Sequence, residues 1–246
     1  RRVDLLVGPP AAVGGPAASA SNRRRIDADV PEREVAALAA RGVVPLPPYV
    51  HEALDDPERY QTVYAERPGS VAAPTAGLHL TEALLDRCRD RGIEVVAIEL
   101  VVGLGTFRPI TAERVEDHPM HAERYRIPAE AMARLRPHLA PSAGPGRVVA
   151  VGTTVVRALE SWAATGEAEG ATSLFIRPGY RFAIVDRLLT NFHVPRSSLL
   201  ALVGAFAGPR WRDRYALALA EGYRFLTFGD AMLLDRLDPP PPAAPP

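Results

Sequence analysis

The sequence predicts an α/β fold: a mixed, largely parallel sheet flanked by helices. Apolar strand-like runs alternate with helical patterns along the chain, and twice such a run passes into a turn of small residues that leads on to a helix. At 47% hydrophobic and 24% charged residues, the composition is that of a globular protein able to build such a core.

The elements follow in order. Residues 1–42 are a poorly defined lead-in rich in Ala, Gly, Pro and Ser, with one short helical pattern at 32–41 ended by Gly42. The main α/β domain spans 43–237 and opens on a rigid extended turn around Pro45, Pro47, Pro48 and Tyr49. Thr81 starts a helix that Gly92 stops, with Leu84, Leu85 and Cys88 on one face. Residues 93–102 read as one buried strand, 128–139 as a helix, 147–151 as a second strand and 155–164 as its helix. Short strands at 173–176 and 182–185 come next, then a loop and helices at 198–206 and 212–223. Residues 238–246, nearly all Pro and Ala, form a disordered tail.

Composition excludes several classes. Basic and acidic residues balance at 29 each, which excludes a globally basic nucleic-acid coat but leaves room for a local basic groove. Every basic residue is arginine, so Schiff-base and P-loop lysine chemistry are absent. The single cysteine, Cys88, allows no internal disulfide and no cysteine-rich metal site, which fits a reducing cytoplasm. No apolar run reaches the roughly 18–20 residues of a membrane span.

Chemistry concentrates in the loops. Gly152-Thr153-Thr154 places hydroxyls and free amides at a helix N-terminus, suited to a carboxylate or phosphate, with a plain threonine cap as the other reading. Gly103-Leu104-Gly105-Thr106-Phe107 is too short for a dinucleotide fingerprint but lets a flat ligand approach the backbone. His118 and His121 stand three apart, yet Pro119 forbids a regular helix through them; they read as loop anchors and no metal is expected. His79, among small residues, and His193, in a polar loop, read either as general bases or as satisfied structural groups. His51 and His138 read as surface residues, and no common hydrolase motif is present.

The ordered loops resemble one family. Pro45-Leu46-Pro47-Pro48-Tyr49, Pro74-Thr75-Ala76-Gly77-Leu78-His79, Gly103-Leu104-Gly105-Thr106-Phe107-Arg108-Pro109 and Met120-His121-Ala122-Glu123 come first. Val151-Gly152-Thr153-Thr154-Val155-Val156-Arg157, Arg177-Pro178-Gly179-Tyr180, Leu189-Thr190-Asn191-Phe192-His193 and Gly229-Asp230-Ala231-Met232 follow. Together they resemble the S-adenosylmethionine:tRNA ribosyltransferase-isomerases of queuosine biosynthesis. The resemblance implies transfer of the ribosyl part of S-adenosylmethionine to 7-aminomethyl-7-deazaguanine in the tRNA anticodon, giving epoxyqueuosine with loss of adenine and methionine. It implies His79 and His193 as acid/base groups, with His79 the base. Thr75, Gly103, Gly105, Thr106, Thr153, Thr154 and Asn191 are implied as contacts to S-adenosylmethionine. Arg59, Tyr60, Arg108, His121, Arg157, Tyr180 and Asp230 are implied as contacts to the acceptor. A cytoplasmic monomer acting on tRNA, without metal, is implied as well.

The chain departs from the family pattern in places. Val101 stands where the family has histidine, Arg177 where it has tyrosine, and Leu226-Thr227-Phe228 where it has an aromatic-rich segment. The family's small β-barrel domain reads as mostly missing or truncated, with residues 1–42 as its possible remnant. Glu99 is an alternative base. These departures leave two other readings: a paralogue with a small-molecule acceptor, or an inactive protein of the same fold that binds adenosine or RNA.

Overall fold

A computed structural model gives the structure of the chain; it describes residues 46–52, 54–66, 70, 72–102, 110, 112–139 and 146–237, and the backbone of 2–7. Five strands make the main sheet. In spatial order they are β2 (Glu94–Ala97), β1 (Arg2–Val7), β5 (Gly146–Val151), β7 (Arg187–Asn191) and β8 (Ala231–Asp235). The first three pairings in that order are parallel and the last, β7 with β8, is antiparallel. The expected fold class therefore holds as a mixed α/β architecture.

A second, antiparallel sheet joins β3 (Glu99–Val101), β4 (Glu123–Arg126) and β6 (Glu169–Thr172). The run expected as one strand at 93–102 is thus two, separated by Ile98, which is buried in the core. Changing sheets at that residue lets one apolar run serve both layers.

Helix α1 (Glu82–Asp90) starts where the Thr81 hydroxyl accepts the Leu84 amide, and the chain leaves it through Gly92 at φ +73°. Helix α2 (Ala129–Leu135) precedes β5. Helix α3 (Thr153–Thr165) follows β5 directly and buries Val155, Val156, Leu159 and Trp162 in the main core. Helices α4 (Ser198–Ala207) and α5 (Trp211–Ala220) follow β7, and Leu202, Val203 and Phe206 of α4 join the same core. Among the described residues no helix is long and apolar enough to cross a membrane.

Three expectations need correction. Residues 2–7, read as part of a shapeless lead-in, pair on both sides as an interior strand of the main sheet. Residues 173–176 and 182–185 are loops, not strands, while 187–191, expected as loop, is a strand, and 231–235 adds a further strand to the sheet. The reason lies in Glu160: its buried carboxylate accepts the amides of Ala183, Ile184 and Val185 at 2.7, 3.2 and 3.1 Å, taking the place of a neighbouring strand. The helix expected at 32–41 and the tail at 238–246 lie outside the described residues.

Burial pushes the Glu160 carboxyl above its ordinary value, while its hydrogen bonds pull the other way. Glu160→Ala should cost about 3–5 kcal/mol of stability, because three buried amides lose their acceptor at once, and Glu160→Gln should cost less. Urea denaturation measures this; a loss under about 1 kcal/mol for the alanine variant would mean that the loop 183–185 is held by packing alone.

Candidate functional site

Parallel strands end on one edge, and helices begin there. The carboxyl ends of β5 and β7 open into a cleft of about 920 Å³, counted with the open solvent at its mouth. Gly152, Thr153 and Thr154 form one wall, Asn191 and His193 another, and Leu226 and Thr227 a third. No Asp, Glu or Arg side chain is among the described residues that line it.

Gly152 lets the first wall form. It occupies the cap position of α3 at φ +98°, a conformation that costs a residue with a Cβ, and its amide donates to Leu189 O of β7 at 2.9 Å. The two threonines are therefore the first residues of the helix, not its cap. No side chain caps α3, and its first intrahelical bond runs from Val156 N to Gly152 O, so the amides before it face the cleft without an intrahelical acceptor.

The second wall carries a hydrogen-bond chain. Asn191 Nδ2 donates to Thr75 Oγ1 at 3.0 Å, which turns Asn191 Oδ1 toward His79 Nε2 at 2.7 Å. An amide oxygen only accepts, so His79 carries its proton on Nε2 and a neutral ring keeps its lone pair on Nδ1. His79 closes the 3₁₀ turn Thr75–His79. It touches the cleft through Asn191 and is not itself part of the lining, whereas Thr75, Asn191 and His193 are. His193 Nε2 pairs with Thr190 Oγ1 at 2.8 Å, and the His193 amide donates to the Tyr215 hydroxyl at 3.0 Å.

The candidate residues thus divide. Thr75, Thr153, Thr154, Asn191 and His193 line one cleft, with His79 bonded to it. Arg59 is exposed beyond it, its guanidinium 5.7 Å from the Phe228 ring centre, and Tyr60 is fully buried edge-on to that same ring. Tyr60 is therefore a packing residue beneath the loop. His121 bonds to the Glu123 carboxylate at 3.3 Å. Asp230 accepts the Arg224 amide at 2.7 Å, and this bond holds its carboxyl below the ordinary range. Tyr180 donates to Glu160 at 3.4 Å and packs on Phe182. Gly103, Gly105, Thr106 and Arg108 lie outside the described residues.

Arg157 does not fit a substrate contact. Its Nε donates to Leu174 O at 2.9 Å, Nη1 to Glu123 at 2.6 Å, and Nη2 to His121 O and Thr172 O at 3.2 and 2.9 Å, all inside the fold. Nor does Glu99 reach the cleft as a base: it pairs with Arg126 across the antiparallel sheet. Val101 stands exposed on that sheet, while its neighbours Leu100 and Val102 line the cleft.

Sequence reasoning passed over Tyr49, Ser197 and Thr227. Tyr49 Oη and Thr227 Oγ1 pair at 2.8 Å across 178 residues of chain, a closeness no local pattern announces. Thr190 had a signal, since it adjoins Asn191 at the end of a strand.

Burial pushes the His193 imidazole down from 6.5 to about 4. Between those values the unfolded chain binds a proton that the folded protein refuses, so this residue's contribution to stability is complete above pH 6.5 and drains away as pH falls toward 4. The loss should be on the order of 3 kcal/mol at about 1.4 kcal/mol per pH unit. Denaturation of wild type and His193→Asn at pH 7, 5.5 and 4 isolates it as the difference between the two curves; parallel curves would contradict it.

Comparison with known proteins fits this geometry. The profile of the family described as "Queuosine biosynthesis protein" matches residues 14–234. The S-adenosylmethionine:tRNA ribosyltransferase-isomerase of Trichormus variabilis is 51% identical over 221 residues, covering 87% of this chain and 53% of the relative. That of Symbiobacterium thermophilum is 55% identical over 202 residues, covering 80% of this chain and 58% of the relative. The crystal structure of S-adenosylmethionine tRNA ribosyltransferase from Thermotoga maritima superposes with a TM-score of 0.52 at 40% identity, over 65% of this chain and 51% of that one. The chain spans somewhat more than half the length of these curated relatives. With the profile covering nearly the whole α/β domain, cleft walls included, the chain belongs to the queuosine biosynthesis protein family.

Proposed function

We propose that this chain carries the cleft of an S-adenosylmethionine:tRNA ribosyltransferase-isomerase. The ribosyl part of S-adenosylmethionine passes to 7-aminomethyl-7-deazaguanine in the anticodon of tRNA, leaving epoxyqueuosine, adenine and methionine. The observation that carries the reading is the meeting, in one cleft, of an uncapped helix N-terminus with the Thr75–Asn191–His79 chain. Both come from loops on which the family resemblance rests, and the relatives' names support ribosyl transfer from S-adenosylmethionine to tRNA.

The chemistry asks for a base, orientation and shelter from water. The sulfonium acidifies the ribose C5′ protons. His79 removes one through Nδ1, the atom left free by the Asn191 bond. The ring opens with loss of adenine, the acceptor amine attacks, and an epoxide closes as methionine leaves. His193, neutral in its buried seat beside Thr190, orients the substrate by hydrogen bonding. Arg59, exposed in the 3₁₀ turn Pro57–Tyr60, and Arg224, exposed two residues before the lining residue Leu226, are suited to phosphates of the RNA. The protein works as a cytoplasmic monomer on this reading, without metal.

The paralogue reading loses its main support, since Val101 lies exposed beside the cleft lining and not within it. Incubation with S-adenosylmethionine and tRNA bearing the aminomethyl deazaguanine tests the activity, read as adenine release and RNA mass gain. His79→Ala should still bind S-adenosylmethionine but lose about 10²–10⁴-fold in turnover, and should lose any exchange of C5′ hydrogens with deuterated solvent. Near-normal turnover in that variant would move the base to His193.

A further inference from the structure

The cleft has an unusual electrostatic make-up. It is lined by hydroxyls, an amide, an imidazole and apolar groups, with no charged side chain among the described residues. Two helices nevertheless begin at it. Besides α3, the start of α4 contributes Ser197 and Leu199 to the lining. The Ser197 hydroxyl satisfies only the Leu200 amide, at 3.2 Å, and Ala201 N reaches Ser197 O, so the amides of Ser198 and Leu199 precede the first intrahelical bond. Each helix end carries roughly half a positive charge.

One side chain at the start of α3 stands unused. Thr153 is only 7% exposed and lines the cleft, and its hydroxyl has no hydrogen-bond partner among the described residues. A hydroxyl without a partner, on a residue this deeply set in a cleft where two helices begin, adds a donor to the free amides there and suits an acceptor with several lone pairs. We propose that the N-termini of α3 and α4, with the Thr153 hydroxyl at the first of them, form a carboxylate seat that takes the amino-acid end of S-adenosylmethionine. This inference rests on the functional reading above and deepens it, because it fixes which way the ligand lies: carboxylate at the helix ends, ribose toward Asn191 and His193.

A bound carboxylate and an RNA phosphate offer the same chemistry to such a seat, so the test separates them. Calorimetry on the wild-type chain compares S-adenosylmethionine with its decarboxylated analogue, which keeps the sulfonium and the adenosine. The first should bind at least tenfold more tightly. Thr153→Val, which keeps the side chain's shape, should weaken S-adenosylmethionine by about tenfold and leave the analogue unchanged. Equal affinity of the two ligands for the wild type overturns the seat while sparing the functional reading. Binding of neither at millimolar concentration sinks that reading instead. A third arm titrates an anticodon stem-loop RNA: if Thr153→Val weakens the RNA and not S-adenosylmethionine, the seat belongs to a phosphate and the proposal falls. The wild-type comparison stands even if the variant fails to fold.

Discussion

The buried ion pair of Arg157 with Glu123 is the constraint on which the cleft depends. Arg157 sits one turn inside α3, and its guanidinium ties that helix to Glu123 of β4, Thr172 of β6 and the backbone of His121 and Leu174. A helix packed on the parallel sheet is thereby fastened to the antiparallel one. Burial holds the guanidinium below its ordinary value, with the Glu123 charge pulling upward. Such a pair is expensive to break one partner at a time, generally about 3–5 kcal/mol, because the survivor stays charged and buried. The fixed orientation of α3 aims its uncapped amides into the cleft.

The opposite wall is held by strain. Leu226 and Phe228 sit at φ +70° and +64°, in a region that bulky residues avoid at a cost of about 1–3 kcal/mol each. Between them Thr227 bonds to Tyr49. Hydrogen bonds over-determine the loop: Leu226 N donates to Phe192 O at 3.0 Å, Asp230 N to Arg224 O at 2.7 Å, and Arg224 N returns a bond to the Asp230 carboxylate. Gly229 makes the turn possible, since a Cβ there would lie 2.5 Å from Arg224 O. Rigid walls on both sides suit a site that must keep water from a reactive ring-opened sugar, as the proposed reaction requires.

Much of this was legible in residue patterns. The strand-turn-helix at Val151, Gly152 and Thr153 announced the α3 terminus, because small residues at the end of an apolar run mark the passage from strand to helix. The helix at Thr81 was legible from its cap. What local pattern cannot show is where a polar group finds its partner. Arg157 looked like a free cation within its motif, and only the fold reveals that β4, β6 and two loops converge on it. Glu160 likewise turned an apolar run into a loop by supplying acceptors from a distant helix. Val101 drew notice as a missing histidine, and strand alternation alone could have placed it on the face away from Leu100 and Val102.

The absence of charged side chains among the described lining residues bears on the proposed chemistry. A sulfonium would find no described carboxylate to pair with in the cleft, and two positive helix ends would repel it if nothing came between. A carboxylate seated at those ends removes the conflict, because the ligand then carries its own screening anion to the place where the protein is positive. The sulfonium, left without a protein counter-charge, keeps its full pull on the C5′ protons, and that acidity is what a modest base such as an imidazole needs. An imidazolium at His193 would undo the arrangement by adding a second cation to a cleft whose described lining holds no carboxylate to balance it. Burial forbids that, pushing the His193 pKa down to about 4, so the wall facing the ribose remains polar and uncharged at neutral pH.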